Sequence, residues 1–315
     1  MTDLPPLYLA REALRLGTDR ELRHGAATGL LTRVGVGVYV STDQWSSMPP
    51  DEQYRTRVRG AGAVSAPRTQ FSHDSAAALW RLPSVGRWPQ VSHQLAPAQP
   101  GGSSRTQIRR HEVGLDPLST RIDGTTVTSL ARTVVDMACT TSMLRAVVMA
   151  DAALRTPDAT EWNRVPTSTA ELHAVLESLL PYRGHARAGR VISFATGLAE
   201  SPGESFARVQ FHALGLPAPE LQVPFYDELG LIGIADFYWR HLGLICEFDG
   251  LSKYGVLRRY QRGMTTQQVV IDEKKREDRM RRVSDDFVRL DWPTVQDRRT
   301  LAAHLRPHGL VASRS

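Results

Sequence analysis

Hydrophobic positions recur at two different periods along this chain, and the switches between them mark its parts. Helical spacing over residues 6–16 predicts a short amphipathic helix. Thr18 and Glu21 stand at capping-box spacing, so a second helix is expected over about residues 19–28, carrying Arg20, Arg23 and His24. The period then drops to two in "LLTRVGVGVYVS", predicting a hairpin hinged on Gly35 and Gly37, with Arg33 in its first strand. Helices are predicted in "DEQYRTRVRGAGAV", in "FSHDSAAALWRLP" from Ser72, and in "TSLARTVVDMAC", capped by Thr128 or Ser129. "PQVSHQLAP" and "RTQIRRHEV" read as strands joined by "AQPGGSS". A turn-rich stretch follows, and the Ser168 and Glu171 spacing opens an amphipathic helix to about residue 180.

From Ser201 onward the pattern is sharper. Ser201 as N-cap, Pro202 at the first helical position and Glu204 behind them start a helix. "LQVPFYD", "IGIADFYW" and "LGLICEFD" are three strands, the first two joined by the turn "DELGLIG" and the last two by "RH". A long basic helix over about residues 265–283, a strand "DFVRLDW" and a last helix from about residue 294 complete the order αβββαβ plus a terminal helix. The expected class is α/β (α+β).

A chain of 315 residues exceeds one ordinary core. The expected organisation is an N-terminal unit over residues 1–45, a central α/β adaptor region over 46–160, a helical linker over 161–198 and a C-terminal domain over 199–315. Net charge is +6, which favours a polyanionic partner. Eleven cations face six acids between residues 251 and 290, a surplus of five lying around the C-terminal strands. The two cysteines, Cys139 and Cys246, both sit in apolar segments, so a reducing cytoplasm is the expected setting. The first residues lack the apolar core of a signal peptide, and no run reaches the roughly 18 apolar residues of a membrane span. No membrane partner is expected. His73 and His111 stand far apart in sequence with no second ligand at metal spacing, and are expected to be structural.

Helix, turn, helix and glycine-hinged hairpin within residues 1–45 is the layout of a winged helix, in which the second helix enters the major groove and the wing touches phosphate. The alternative is a small helical domain that packs on its neighbour. "YRGHARAGR" is either a solvated helix face or a track along phosphates.

In the C-terminal strands, alternation sends Glu247 and Asp249 to one face and Cys246 and Phe248 to the other. The short connection brings Asp236 to the height of Glu247 on the neighbouring strand. Three carboxylates close together raise one another's pKa unless a cation joins them. A hard divalent ion with oxygen ligands, Mg2+ or Mn2+, meets that need, with Asp236, Glu247 and Asp249 as the metal ligands. Two acids have a plainer reading too: Glu204 is a cap before it is a ligand, and Asp249 with Gly250 is a turn signal, whereas Asp236 in an apolar strand is costly to leave unpaired. Lys253 would orient an attacking water or offset developing charge.

The region 199–307 resembles the PD-(D/E)xK nuclease fold and, more narrowly, its Vsr-like branch. Asp236 with Phe237, Glu247 with Asp249, Gly250 and Lys253, and the run Glu273 to Asp278, "EKKRED", carry the resemblance. It implies a restriction-endonuclease-like domain that cleaves or nicks double-stranded DNA, in mismatched, branched or nicked form. Asp236, Glu247, Asp249, Lys253 and Glu204 would be its catalytic set. The common pattern ends its third strand in E-x-K, whereas here Lys253 comes four residues after Asp249. Either Lys253 folds back as a shifted catalytic lysine, or the site is a relic kept as a DNA-binding surface. "RVGVGVYV", "FSHDSAAALWRLP" and "TSLARTVVDMA" resemble the AbiEi-type antitoxin and regulator architecture, which implies operator binding and a protein toxin as partner; a homodimer is a further expected association. Expected DNA contacts are Arg20, Arg23, His24, Arg33, Lys274, Lys275, Arg276 and Arg279.

Overall fold

The computed structural model describes residues 4–97, 107–156, 165–181, 183–249 and 266–312. The fold mixes helices and strands in two compact units, Met1–Ala195 and Thr196–Ser315. Among the described residues no helix is long and apolar enough to cross a membrane.

The first unit opens with β1 (Tyr8–Leu9), α1 (Ala10–Leu16), α2 (Asp19–Ala27), β2 (Leu31–Gly35) and β3 (Val38–Ser41). The strands form an antiparallel sheet in the order β1-β3-β2. The first helix therefore starts at Ala10 rather than at residue 6, because Tyr8 and Leu9 are drawn into the ladder opposite Tyr39 and Val38. The expected capping box at Thr18 and Glu21 does not form. Gly17, at φ 72°, turns the chain so tightly that the Thr18 N–H bonds the Ala13 carbonyl, and the Thr18 hydroxyl lies against the same oxygen.

Next come α3 (Thr42–Ser47), α4 (Pro50–Val64), α5 (His73–Leu79), β4 (Ser92–Leu95), β5 (Ile108–His111), β6 (Thr120–Ile122), β7 (Thr125–Val127), α6 (Leu130–Thr140), α7 (Met143–Leu154), α8 (Thr169–Ser178) and α9 (His185–Phe194). Strands β4 and β5 pair in parallel, and β6 and β7 form a hairpin. Ser129, not Thr128, caps α6. Both halves of the Ser168 and Glu171 capping box are made. Helices α6 and α7 bury almost their whole length, so they form the core against which α8 and α9 lie. The stretch read as a helical linker is thus packed into the first unit up to Ala195.

The second unit follows the expected order: α10 (Pro202–Ala213), β8 (Glu220–Asp227), β9 (Gly230–Trp239), β10 (Leu244–Phe248), α11 (Thr266–Arg282) and β11 (Asp286–Leu290). The last helix is two, α12 (Trp292–Gln296) and α13 (Arg298–Leu305), because Asp291 and Asp297 each cap a separate start. The sheet order is β11-β10-β9-β8, parallel between β10 and β11 and antiparallel elsewhere. One face stacks Phe237 and Trp239 edge-on against Phe211 of α10. The other packs Ile232, Ile245 and Phe287 around Met280 of α11. Gly203 is needed where α10 meets β10, since a Cβ there would stand 2.0 Å from the Phe248 ring.

Candidate functional site

The central strands of the second unit part company at one point. β9 pairs with β10 only from Trp239 opposite Leu244 to Phe237 opposite Cys246. Beyond that step β9 stays with β8 as far as Gly230, while β10 stays with β11 through Phe248. The next residues in register are Asp236 and Glu247, so both carboxylates stand where the sheet opens. Asp236 fills the lost ladder position: its Oδ2 accepts the Phe248 N–H at 2.8 Å. The opening is a cleft of about 350 Å³ lined by Gly233, Asp236, Glu247, Glu273, Arg276 and Arg289 among others.

Glu204 joins the acids from the start of α10. Its N–H bonds the Ser201 hydroxyl, while its carboxylate accepts from the Glu200 N–H at 2.8 Å and from Gln222 Nε2 at 3.0 Å. Gln222 reaches it because its backbone is left-handed, at φ 52°, across from Asp236. Burial raises the Glu204 pKa. Burial, then the charge of Glu204, pushes Asp236 from 3.8 up to about 7. Among the described residues Asp236 thus lacks a countercharge.

Glu247 does not. It is buried, and Arg276 of α11 donates Nη1 and Nη2 to its two oxygens at 2.8 and 2.7 Å. Arg276 also holds Glu273, which Arg289 Nη2 reaches at 2.9 Å. Burial pushes Glu273 up, but the hydrogen bonds and charges of Arg276 and Arg289 outweigh it and bring the group down to about 2.

Several expectations need correction. Asp249 lines the same cleft but is less enclosed than the other two acids: it lies beyond the end of β10, its side chain 64% exposed and 3.9 Å from Arg289. Its backbone explains this, because its N–H is tied to the Leu290 carbonyl on the β11 side. Arg276 and Arg279 do not present free guanidinium groups to DNA. Arg276 is engaged as above, and Arg279 grips both oxygens of Asp227 at 2.5 and 2.6 Å. Arg281 pairs with Glu277 as its i, i+4 spacing foretells. Lys253 and Gly250 lie outside the described residues. Of the remaining cations, Arg20, Arg23, His24, Arg33, Lys274 and Lys275 are all exposed. Arg23 pairs with Asp19, and Arg33 Nε donates to the Gly35 carbonyl.

Sequence reasoning named Glu273 only within the run "EKKRED" and missed Arg289 as part of the cleft and Gln222 as the partner of Glu204. It also kept His73 and His111 apart. In the first unit they meet with His93, and one ring nitrogen of each lies within 4.8 Å of the other two.

The donor set of the cleft suits a hard ion: carboxylate oxygens at the strand opening, one of them without a countercharge among the described residues. Asp236 would hold the ion, and Glu247 would share it by exchanging one oxygen from Arg276. Among the described residues, these acids are not drawn as close together as the three histidines are.

No family model matches the chain. It is similar to two curated proteins of Mycobacterium tuberculosis, described as uncharacterized proteins MT2308 of strain CDC 1551 / Oshkosh and Rv2248 of strain ATCC 25618 / H37Rv. Each is 30% identical over 168 residues, which cover 50% of this chain and 59% of the relative. The chain therefore spans under two thirds of the relatives it matches.

Proposed function

We propose that this protein binds duplex DNA and cleaves or nicks a phosphodiester bond in the cleft between β9 and β10. The observation that carries the reading is the parting of these strands after Phe237 and Cys246, which leaves Asp236 and Glu247 side by side at the opening. The α, three-strand, α, strand order of the second unit supports the restriction-endonuclease-like, Vsr-like assignment. Mg2+ or Mn2+, when bound by Asp236 and Glu247, would polarise the scissile phosphate and lower the pKa of the attacking water. The chain's own side chains do the rest. Arg289, at the rim, attracts and orients the phosphate. Arg276, released from one Glu247 oxygen, offsets charge that develops on the phosphate oxygens. Glu204, held by Gln222, keeps Asp236 from turning away from the opening. Lys253 is assigned to the attacking water by the resemblance. The winged-helix reading of residues 1–45 is supported by exposed Arg20, Arg23 and His24 on α2 and by the hairpin of β2 and β3 with Arg33.

A second reading has its own support. The Arg276 fork satisfies both Glu247 oxygens without any ion, as it would in a relic site. On that reading the chain is a non-enzymatic AbiEi-like regulator that binds an operator and a toxin. The test is cleavage of plasmid, mismatched, branched and single-stranded DNA with Mg2+ and with Mn2+. The nuclease reading expects cutting that Glu247→Ala abolishes while binding in EDTA persists. A whole panel left uncut by wild type with both ions leaves the regulator.

A further inference from the structure

The three clustered histidines of the first unit, His73, His93 and His111, come from three elements. His73 opens α5 with a left-handed backbone, φ 49°, a conformation costly for a non-glycine residue. The start of α5 is stitched to β4: the Ser72 N–H donates to the His93 carbonyl at 3.0 Å, and the His93 N–H to the Ser75 hydroxyl at 2.8 Å. Parallel pairing of β4 with β5 sets His93 opposite Arg109 and Leu95 opposite His111, so His93 and His111 share a face. His93 Nδ1 and His111 Nε2 are 3.0 Å apart. That separation is close to the roughly 3.3 Å expected of two nitrogens bound at about 2.0 Å to one tetrahedral ion.

The outer nitrogens of His73 and His93 each lie near a carboxylate, although His93 Nε2 makes no hydrogen bond there. His73 Nδ1 lies 2.9 Å from the Ser72 hydroxyl and 3.8 Å from Asp136 Oδ2. His93 Nε2 lies 3.8 Å from Asp74 Oδ2. Each carboxylate is in turn fixed by an arginine, Asp136 by Arg132 at 2.9 Å and Asp74 by Arg145 at 2.5 Å. A carboxylate fixed behind a histidine, as behind His73 and His93, is the usual outer support of a metal-binding ring. His73 Nε2 has no hydrogen-bond partner although the residue is only 1% exposed. A buried ring nitrogen left so has lost its water without gaining a partner.

We propose that His73 Nε2, His93 Nδ1 and His111 Nε2 bind one transition-metal ion of the zinc class, with water completing the fourth position. Three imidazole nitrogens select Zn2+, Co2+ or Ni2+ over the oxygen-seeking Mg2+. The site is therefore chemically distinct from the carboxylate cleft and does not rest on the nuclease reading. The ring of His73 now stacks on His111 at 3.5 Å between centroids, so it turns about its side chain to present Nε2 to the ion. Burial first, and then neighbouring cationic groups, lowers all three pKa values, His93 and His111 to about 4, so the rings are neutral at pH 7, and an ion would replace the proton that His93 Nδ1 and His111 Nε2 share in their hydrogen bond. Bound there, the ion would tie α5, β4 and β5 together.

The experiment uses the full chain, stripped with EDTA and titrated with Co2+ as a visible-absorption probe and with Zn2+ in competition. Wild type and Asp236→Asn should each take up one equivalent of Co2+ with a low-coordinate visible spectrum, displaced by Zn2+. Zn2+ should also raise the thermal midpoint of both. His111→Gln, the least buried of the three positions, and His93→Gln should weaken binding at least tenfold. Folded wild type that gives no such spectrum overturns the proposal without any variant. So does a spectrum that survives unchanged in both histidine variants, and loss in Asp236→Asn alone would place the ion in the cleft instead.

Discussion

Asp236 concentrates the unusual electrostatics of the second unit in one carboxyl. Its ordinary value is 3.8, and burial with Glu204 nearby holds it near 7 in the folded chain. The folded state therefore keeps a proton that the unfolded state loses. The resulting stability is full below about pH 4 and is lost as pH rises towards 7. Asp236→Asn keeps the neutral shape at every pH. In EDTA, the variant should melt with wild type at pH 4 and above it at pH 8, by on the order of 1 kcal/mol after allowing for partial exposure. Melting curves that stay superimposed at both values would contradict the assignment of that shift. Asp236 and Glu247 were legible in the sequence, because a carboxylate in an apolar strand is costly to bury and so signals a partner or a site. Arg276 was not: its partner Glu247 lies in another element, so a helical basic run looked like a DNA contact. The cluster of His73, His93 and His111 was hidden for the same reason, since its spacing exists only once β4 and β5 are paired.

Elements were legible where local signals agreed. Ser201, Pro202 and the alternation of β8 to β10 foretell the second unit's order, because capping chemistry and strand period act within a few residues. Thr18 and Glu21 misled, since a left-handed Gly17 redirected the hydroxyl to Ala13. The β6–β7 hairpin passed unnoticed although Asp123 and Gly124 sit at its turn, both left-handed, a strong short-range signal. What no local rule gives is the parting of β9 from β10, which depends on which neighbour each strand keeps. At this scale the reading of α2 and the β2–β3 hairpin is testable. Exposed Arg20, Arg23 and Arg33 should contact phosphate, so affinity for duplex DNA should fall steeply with salt. Deleting residues 1–45 should weaken binding, flatten its salt dependence and blur any sequence preference. A truncated chain that binds every duplex as well as the full one does would remove the winged-helix assignment.

For the whole molecule, net charge and the basic run around residues 251–290 pointed to a polyanion. Much of the basic side of that run among the described residues is matched internally, as Arg276, Arg279, Arg281 and Arg289 all hold carboxylates. Lys274 and Lys275 remain as exposed cations on α11. The cleft acids that the described arginines leave aside are Asp236 and Glu204, and the nuclease reading depends on a divalent ion joining them with Glu247. The most direct measurement is therefore a calorimetric titration of Mn2+ into the full chain bound to duplex DNA, for wild type, Asp236→Asn and His111→Gln. Wild type and His111→Gln should bind Mn2+ alike, and Asp236→Asn should lose that binding. Heats that are the same in all three, or absent from wild type, would contradict a metal site at the opening of β9 and β10.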